Sequence, residues 1–170
     1  MWFAGFVNRL GNMMIVSGDE KGNFNPDNDI TRAEFIKLLV SVLGCHKPAL
    51  VSDFDDVGEN DWYNSYVASA KEAGFVSGYD NKVMPKAAIT RQDAAVMAVG
   101  ALEKYGVILN SADLSFDDGD TISDYATESV AKAIGGGIMN GMGDGSFAPG
   151  GNMTRAQAAV VICGLMEVLK

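Results

Sequence analysis

Three near-copies of one pattern run along this chain. A tandem repeat restricts the fold more than any other property of a sequence, because each copy must adopt the same supersecondary unit and bury its apolar face against its neighbours. The copies are marked by Ile30-Thr31-Arg32-Ala33-Glu34, Ile89-Thr90-Arg91-Gln92-Asp93 and Met153-Thr154-Arg155-Ala156-Gln157, with arginines 59 and 64 residues apart. Six residues before each arginine stands a proline, Pro26, Pro85 or Pro149, and before that a turn opened by Gly18, Gly78 or Gly141. Phe24, Val83 and Phe147 occupy one equivalent position in these turns and read as an apolar plug. Sixteen residues before each turn glycine lies an aromatic: Trp2, Trp62 or Tyr125.

Between aromatic and turn, the second copy carries Tyr66, Val67, Ala70 and Ala73 at helical spacing, ended by Gly74 as a C-cap. The third copy ends likewise at Gly135-Gly136-Gly137, whereas the first has Met14. Second helices are expected over roughly 32–43, 91–104 and 155–169. They are apolar over most of their circumference, as in Phe35, Ile36, Leu38, Leu39, Val40, Val42 and Leu43, so they must be buried on several sides. Three such helices define a central bundle with the first helices and turns outside. The repeats divide as 1–44, 53–104 and 116–170 within one compact domain. The second and third begin with acidic lead-in segments, Asp53-Phe54-Asp55-Asp56-Val57 and Phe116-Asp117-Asp118-Gly119-Asp120. The first has none, so the chain is expected to begin inside a repeat.

Thr31 with Glu34 and Thr154 with Gln157 form capping boxes, in which the threonine oxygen accepts from the N3 amide and the N3 side chain reaches back to the cap. Asp93 is shorter and fits this role less well. Capping does not account for the arginine. At N1 a cation faces the positive end of the helix dipole, a cost of about 0.3–1 kcal/mol at exposed sites, yet arginine stands there three times. Something anionic is therefore expected near Arg32, Arg91 and Arg155. Two sources compete equally. One is a neighbouring repeat's lead-in segment, Asp55 and Asp56 or Asp117 and Asp118. The other is a ligand carboxylate or phosphate, received by a guanidinium beside free helix N–H groups.

Composition narrows the function classes. With 48% hydrophobic and 21% charged residues the chain has a globular make-up, and a net charge of −9 disfavours nucleic acid and anionic membrane surfaces. No apolar run reaches the roughly 20 residues needed to span a bilayer, and Met1-Trp2-Phe3 lacks a basic signal region. The chain is thus read either as a mature or excised fragment or as cytosolic. Cys45 and Cys163 make no disulfide framework, and Cys45-His46 has no second cluster to complete a zinc site. His46 is the only histidine and no nucleophile has an evident partner, so no enzyme, cofactor or metal is expected. Glu72 and Glu103 are a chance carboxylate pair, and the acidic runs 117–120 and 19–23 do not match a calcium loop.

Phe54 to Trp62, Gly18 to Pro26 and Ile30 to Glu34, in order and at matching spacings, resemble the S-layer homology family over essentially the whole chain. The resemblance implies an all-α, pseudo-threefold, three-pronged module around a central helix bundle. It implies a non-catalytic anchor at the bacterial cell surface that binds secondary cell-wall polysaccharide, often carrying a pyruvate ketal carboxylate, in grooves between repeats. It also implies a place within a larger surface protein, without membrane insertion. Carried onto this sequence, the binding residues are Arg32, Arg91 and Arg155, with Gly18, Gly78 and Gly141 as backbone contacts. Trp62 would stack on a sugar or pack in the core, and Asp56 belongs to the same set. The alternative is a protein-interaction or self-assembly module using the same grooves.

Overall fold

A computed structural model describes residues 1–170 and contains six helices and no strands. These are α1 (Ala4–Asn12), α2 (Arg32–Val42), α3 (Asn64–Ala73), α4 (Arg91–Lys104), α5 (Asp124–Gly135) and α6 (Arg155–Val168). The inner helices α2, α4 and α6 all touch one another, as their near-continuous apolar surfaces require. Each outer helix packs on the inner helix of the preceding repeat: α3 on α2, α5 on α4, and α1 on α6. The last of these pairings closes the three repeats into a ring around one continuous core. No helix is long and apolar enough to cross a membrane.

The ring is locked by backbone. Ile30 N–H donates to the Met153 carbonyl (2.9 Å), Met153 N–H to Ile89 (2.9 Å) and Ile89 N–H to Ile30 (3.0 Å), a cyclic triangle of three buried residues. One residue into each inner helix, the N1 amides of Arg32, Arg91 and Arg155 donate to the carbonyls of Ala87, Gly151 and Asn28 in the next repeat. The N2 amides of Ala33, Gln92 and Ala156 donate to Pro85, Pro149 and Pro26, each at 3.0 Å. The repeated proline therefore supplies a carbonyl that caps a neighbour's helix. Thr31, Thr90 and Thr154 accept from N3, and the reciprocal half of the box forms for Glu34 and Gln157 but not for Asp93.

The outer helices end alike. The amides of Ile15, Phe75 and Ile138 reach back to Leu10, Ala70 and Ala133 across a left-handed residue, which is Gly74 (φ 84°), Gly137 (φ 68°) or, in the first repeat, Met14 (φ 58°). Met14 is almost fully exposed and gains nothing from packing. Met14→Gly is therefore expected to stabilise the domain by about 0.5–1 kcal/mol, the relief of left-handed strain less the extra freedom of the unfolded chain. Urea denaturation checks this, and an unchanged or lowered midpoint would refute it.

Cys163 is buried and Cys45 half-buried, both as free thiols. His46 stacks on Tyr66 (centroids 4.0 Å apart) with Nε2 2.9 Å from Ser65 Oγ.

Candidate functional site

Each inner helix delivers its arginine into the turn of the next repeat. Arg32 Nε donates to the Val83 carbonyl (2.9 Å), Arg91 Nε to Phe147 (2.7 Å) and Arg155 Nε to Phe24 (2.9 Å). The plug residue of each turn is thus held through its backbone by a neighbour's guanidinium. Where the plug is aromatic, the guanidinium also lies over its ring, with Arg91 4.9 Å from the Phe147 centroid and Arg155 4.8 Å from that of Phe24. Arg91 further donates to Asn140 O (2.7 Å), and Arg155 to Ser17 O (3.0 Å).

The sequence offered two sources of negative charge for these arginines, and the lead-in segments are not the partners. Asp56 instead accepts from Val83 and Met84 amides (3.0 and 2.7 Å), and Asp118 from Phe147 and Ala148 amides (both 2.8 Å). Both carboxylates brace the turn of their own repeat, where Met84 and Ala148 are left-handed. The ion pairs come from N3 of the next inner helix: Arg32 Nη1 to Asp93 (2.8 Å) and Arg155 Nη1 to Glu34 (3.4 Å). At the equivalent position Arg91 shares its groove with Gln157, which is neutral. The expectation of free helix N–H groups also fails, because all the N1, N2 and N3 amides of the inner helices are already bonded.

Hydrogen bonds from the Phe147 amide chiefly, and from Ala148, hold the Asp118 carboxyl below its ordinary value near 3.8. A depressed folded-state pKa stabilises the protein at pH above the unfolded value, and that stabilisation disappears as pH falls through the folded one. Asp118→Asn is expected to lower the melting temperature at pH 7 and to shrink the native protein's lead progressively below about pH 4. Parallel melting curves across that range would refute it.

Three grooves open beside the arginines, one per turn. The first, about 170 Å³, is lined by Ser17, Glu34, Lys37, Trp62 and Arg155 among others. The second, about 380 Å³, contains Arg32, Gly78, Tyr79, Asp93 and Tyr125. The third, about 430 Å³, contains Trp2, Arg91, Asn140, Gly141, Met142 and Gln157. In each, an aromatic from the following repeat and a guanidinium from the preceding one line the same groove. Trp62 is 55% exposed, which removes the reading of it as a core indole, and Lys37 sits 5.9 Å above its ring. Trp2 and Tyr125 are 65% and 62% exposed.

Of the residues singled out from sequence, the three arginines, Trp62, Gly78 and Gly141 line these grooves, whereas Asp56 does not. Gly18 lines a separate hollow beside α1. Gly78 and Gly141 are small for a structural reason: a Cβ would come within 2.6 Å of a Phe54 ring carbon and 2.7 Å of a Phe116 ring carbon, which lie across the turns. Trp2, Tyr125, Lys37 and the N3 residues were missed as groove residues. The sixteen-residue register already aligned Trp2 and Tyr125 with Trp62, and that signal could have added both. Glu72 pairs with Lys47, and Glu103 with Lys132, which it shares with Glu128.

The family model of the S-layer homology domain matches residues 1–36, 53–95 and 115–159, one segment in each repeat. An amylopullulanase of Thermoanaerobacterium thermosulfurigenes is 34% identical over 98% of this chain, and a surface-layer 125 kDa protein of Lysinibacillus sphaericus 31% identical over 95%. A cellulosome-anchoring protein of Acetivibrio thermocellus is 27% identical over 89%. The chain spans only 9%, 14% and 35% of the lengths of these relatives. Three matched segments that together take in most of the sequence, on a ring of three equivalent helical units, make this chain a member of the S-layer homology domain family.

Proposed function

We propose that this chain is a non-catalytic anchoring module of a larger extracellular protein, and that it attaches that protein to the bacterial cell surface by binding secondary cell-wall polysaccharide in the grooves between repeats. The observation that carries this reading is the threefold juxtaposition of an exposed aromatic wall with a recessed guanidinium. A pyranose ring can lie on the indole or phenol while a carboxylate on it, such as a pyruvate ketal, reaches the arginine. The relatives support the same role, since they include a surface-layer protein and a cellulosome-anchoring protein. With a net charge of −9, long-range attraction to an anionic polymer contributes little, and retention on the wall comes from several weak grooves engaged at once.

The test is sedimentation with purified wall polysaccharide, with and without its ketal groups. The native chain is expected to co-sediment with the ketal-bearing polymer. Combined Trp2→Ala, Trp62→Ala and Tyr125→Ala substitutions, all at exposed side chains, should weaken retention by about ten-fold or more. Equal retention of the variant, or of the ketal-free polymer, would count against the reading. Absence of retention together with concentration-dependent self-association would favour an assembly module that uses the same grooves.

A further inference from the structure

The three grooves share one plan but not one charge. In the second, Arg32 and Tyr125 are both engaged by an internal carboxylate: Asp93 Oδ2 accepts from Arg32 Nη1 (2.8 Å) and Oδ1 from the Tyr125 hydroxyl (2.7 Å). In the first, Glu34 divides itself, with Oε2 held by Thr31 N–H and Oγ1 (2.8 and 3.1 Å) and Oε1 at 3.4 Å from Arg155 Nη1, while Lys37 adds a further positive charge nearby. In the third, no carboxylate is present. Gln157 commits its Oε1 to the Thr154 amide (3.0 Å) and turns its NH2 toward Met142 (3.7 Å to Sδ), so it presents a donor rather than an acceptor.

Arg91 consequently stands apart. It is 5% exposed, the most buried of the three arginines, and bonds only to the neutral carbonyls of Phe147 and Asn140. Burial lowers its pKa, and Asp118, which acts on it only through space, partly opposes that effect. A desolvated guanidinium with neutral partners, lining the groove of largest volume among the three, is the arrangement that gains most from an arriving anion.

Resting on the carboxylate reading above, we propose that the N3 residue of each inner helix selects which groove admits an anionic sugar. With Gln157 the Arg91 groove is this chain's carboxylate site, and with Asp93 the Arg32 groove is closed to anions by a carboxylate of its own. The residue that caps the helix is thereby also the specificity determinant.

Each groove contains one arginine whose Nε–H is held by a plug carbonyl, so nitrogen-15 NMR of the native chain reads the three sites separately. The probe is a monosaccharide glycoside bearing one pyruvate ketal as the free acid, with its methyl ester as the neutral control. The Arg91 signal is expected to respond at ligand concentrations about ten-fold or more below those that move Arg32. The near-isosteric Gln157→Glu should weaken the Arg91 response by about ten-fold, and Asp93→Asn should bring Arg32 into the range of Arg91. Persistence of the Nε–H signals reports that the turns remain folded in both variants. Arg32 responding together with Arg91 in the native chain, or Gln157→Glu leaving Arg91 unaffected, overturns the selection proposal alone. An ester that moves Arg91 as strongly as the acid, or an acid that moves no arginine, overturns the carboxylate reading and this proposal with it.

Discussion

Phe35→Ala is expected to destabilise the domain by about 3–5 kcal/mol, at the upper end for a single core truncation. Phe35 is fully buried in α2 at the fourth helical position, and the equivalent positions of α4 and α6 hold Ala94 and Ala158, also fully buried. One phenyl ring therefore supplies the volume that two methyl-sized side chains leave open at this level of the bundle. Neither alanine can extend to fill the void, and the cyclic backbone triangle of Ile30, Ile89 and Met153 resists collapse of the helices toward it. For a chain of this size each kcal/mol corresponds to about 2–4 °C, so the melting temperature should fall by roughly 6–20 °C. A loss below about 1.5 kcal/mol in urea would mean that the bundle repacks freely and that the ring is not rigid.

Arg91→Ala is expected to cost about 2–4 kcal/mol even without any ligand, because it leaves the Phe147 and Asn140 carbonyls without their donors and uncovers the Phe147 ring. Arg91→Lys should recover little of this, since an ammonium cannot place two N–H groups in the planar fork that reaches both carbonyls. Arg32→Ala and Arg155→Ala should cost less, their side chains being 12% and 21% exposed, although each also strands a carboxylate. Thermal melts of the four variants give the ranking, and an Arg91→Ala protein as stable as the native one would remove the guanidinium from the structural role assigned to it. Any loss of glycan affinity in Arg91→Ala has to be read beside its melting curve, so Gln157→Glu is the cleaner probe of the groove.

Much of the architecture was legible in the residues because its signals are short-range. A threonine accepting from N3, a glycine able to turn left-handed after a helix, and an apolar stripe all concern residues within a few positions of one another. The expected inner helix over 91–104 coincides with α4, and those over 32–43 and 155–169 run one residue past α2 and α6. Gly74 and Gly137 close α3 and α5 region by the left-handed turn that their sequence implied, and Met14 performs the same turn without being glycine. The arginines, too, were marked by a local argument, a cation placed where the helix dipole disfavours it.

What answers each arginine was decided elsewhere. Arg32 meets Val83 across 51 residues, where α3 packs on α2, and Arg155 meets Phe24 across 131, a distance that closes where α1 returns to pack on α6. Repetition in a sequence says that the units are equivalent; it does not say which neighbour each unit leans on, or in which direction the ring closes. That choice brought Asp93, Glu34 and Gln157, legible only as caps, beside a neighbour's guanidinium, and it left Asp56 and Asp118 to brace their own turns. The local pattern fixes each helix and its ends, because those hydrogen bonds lie within one turn of chain. The charge of each groove is settled by side chains from three repeats meeting in space, and only the closed ring brings them together.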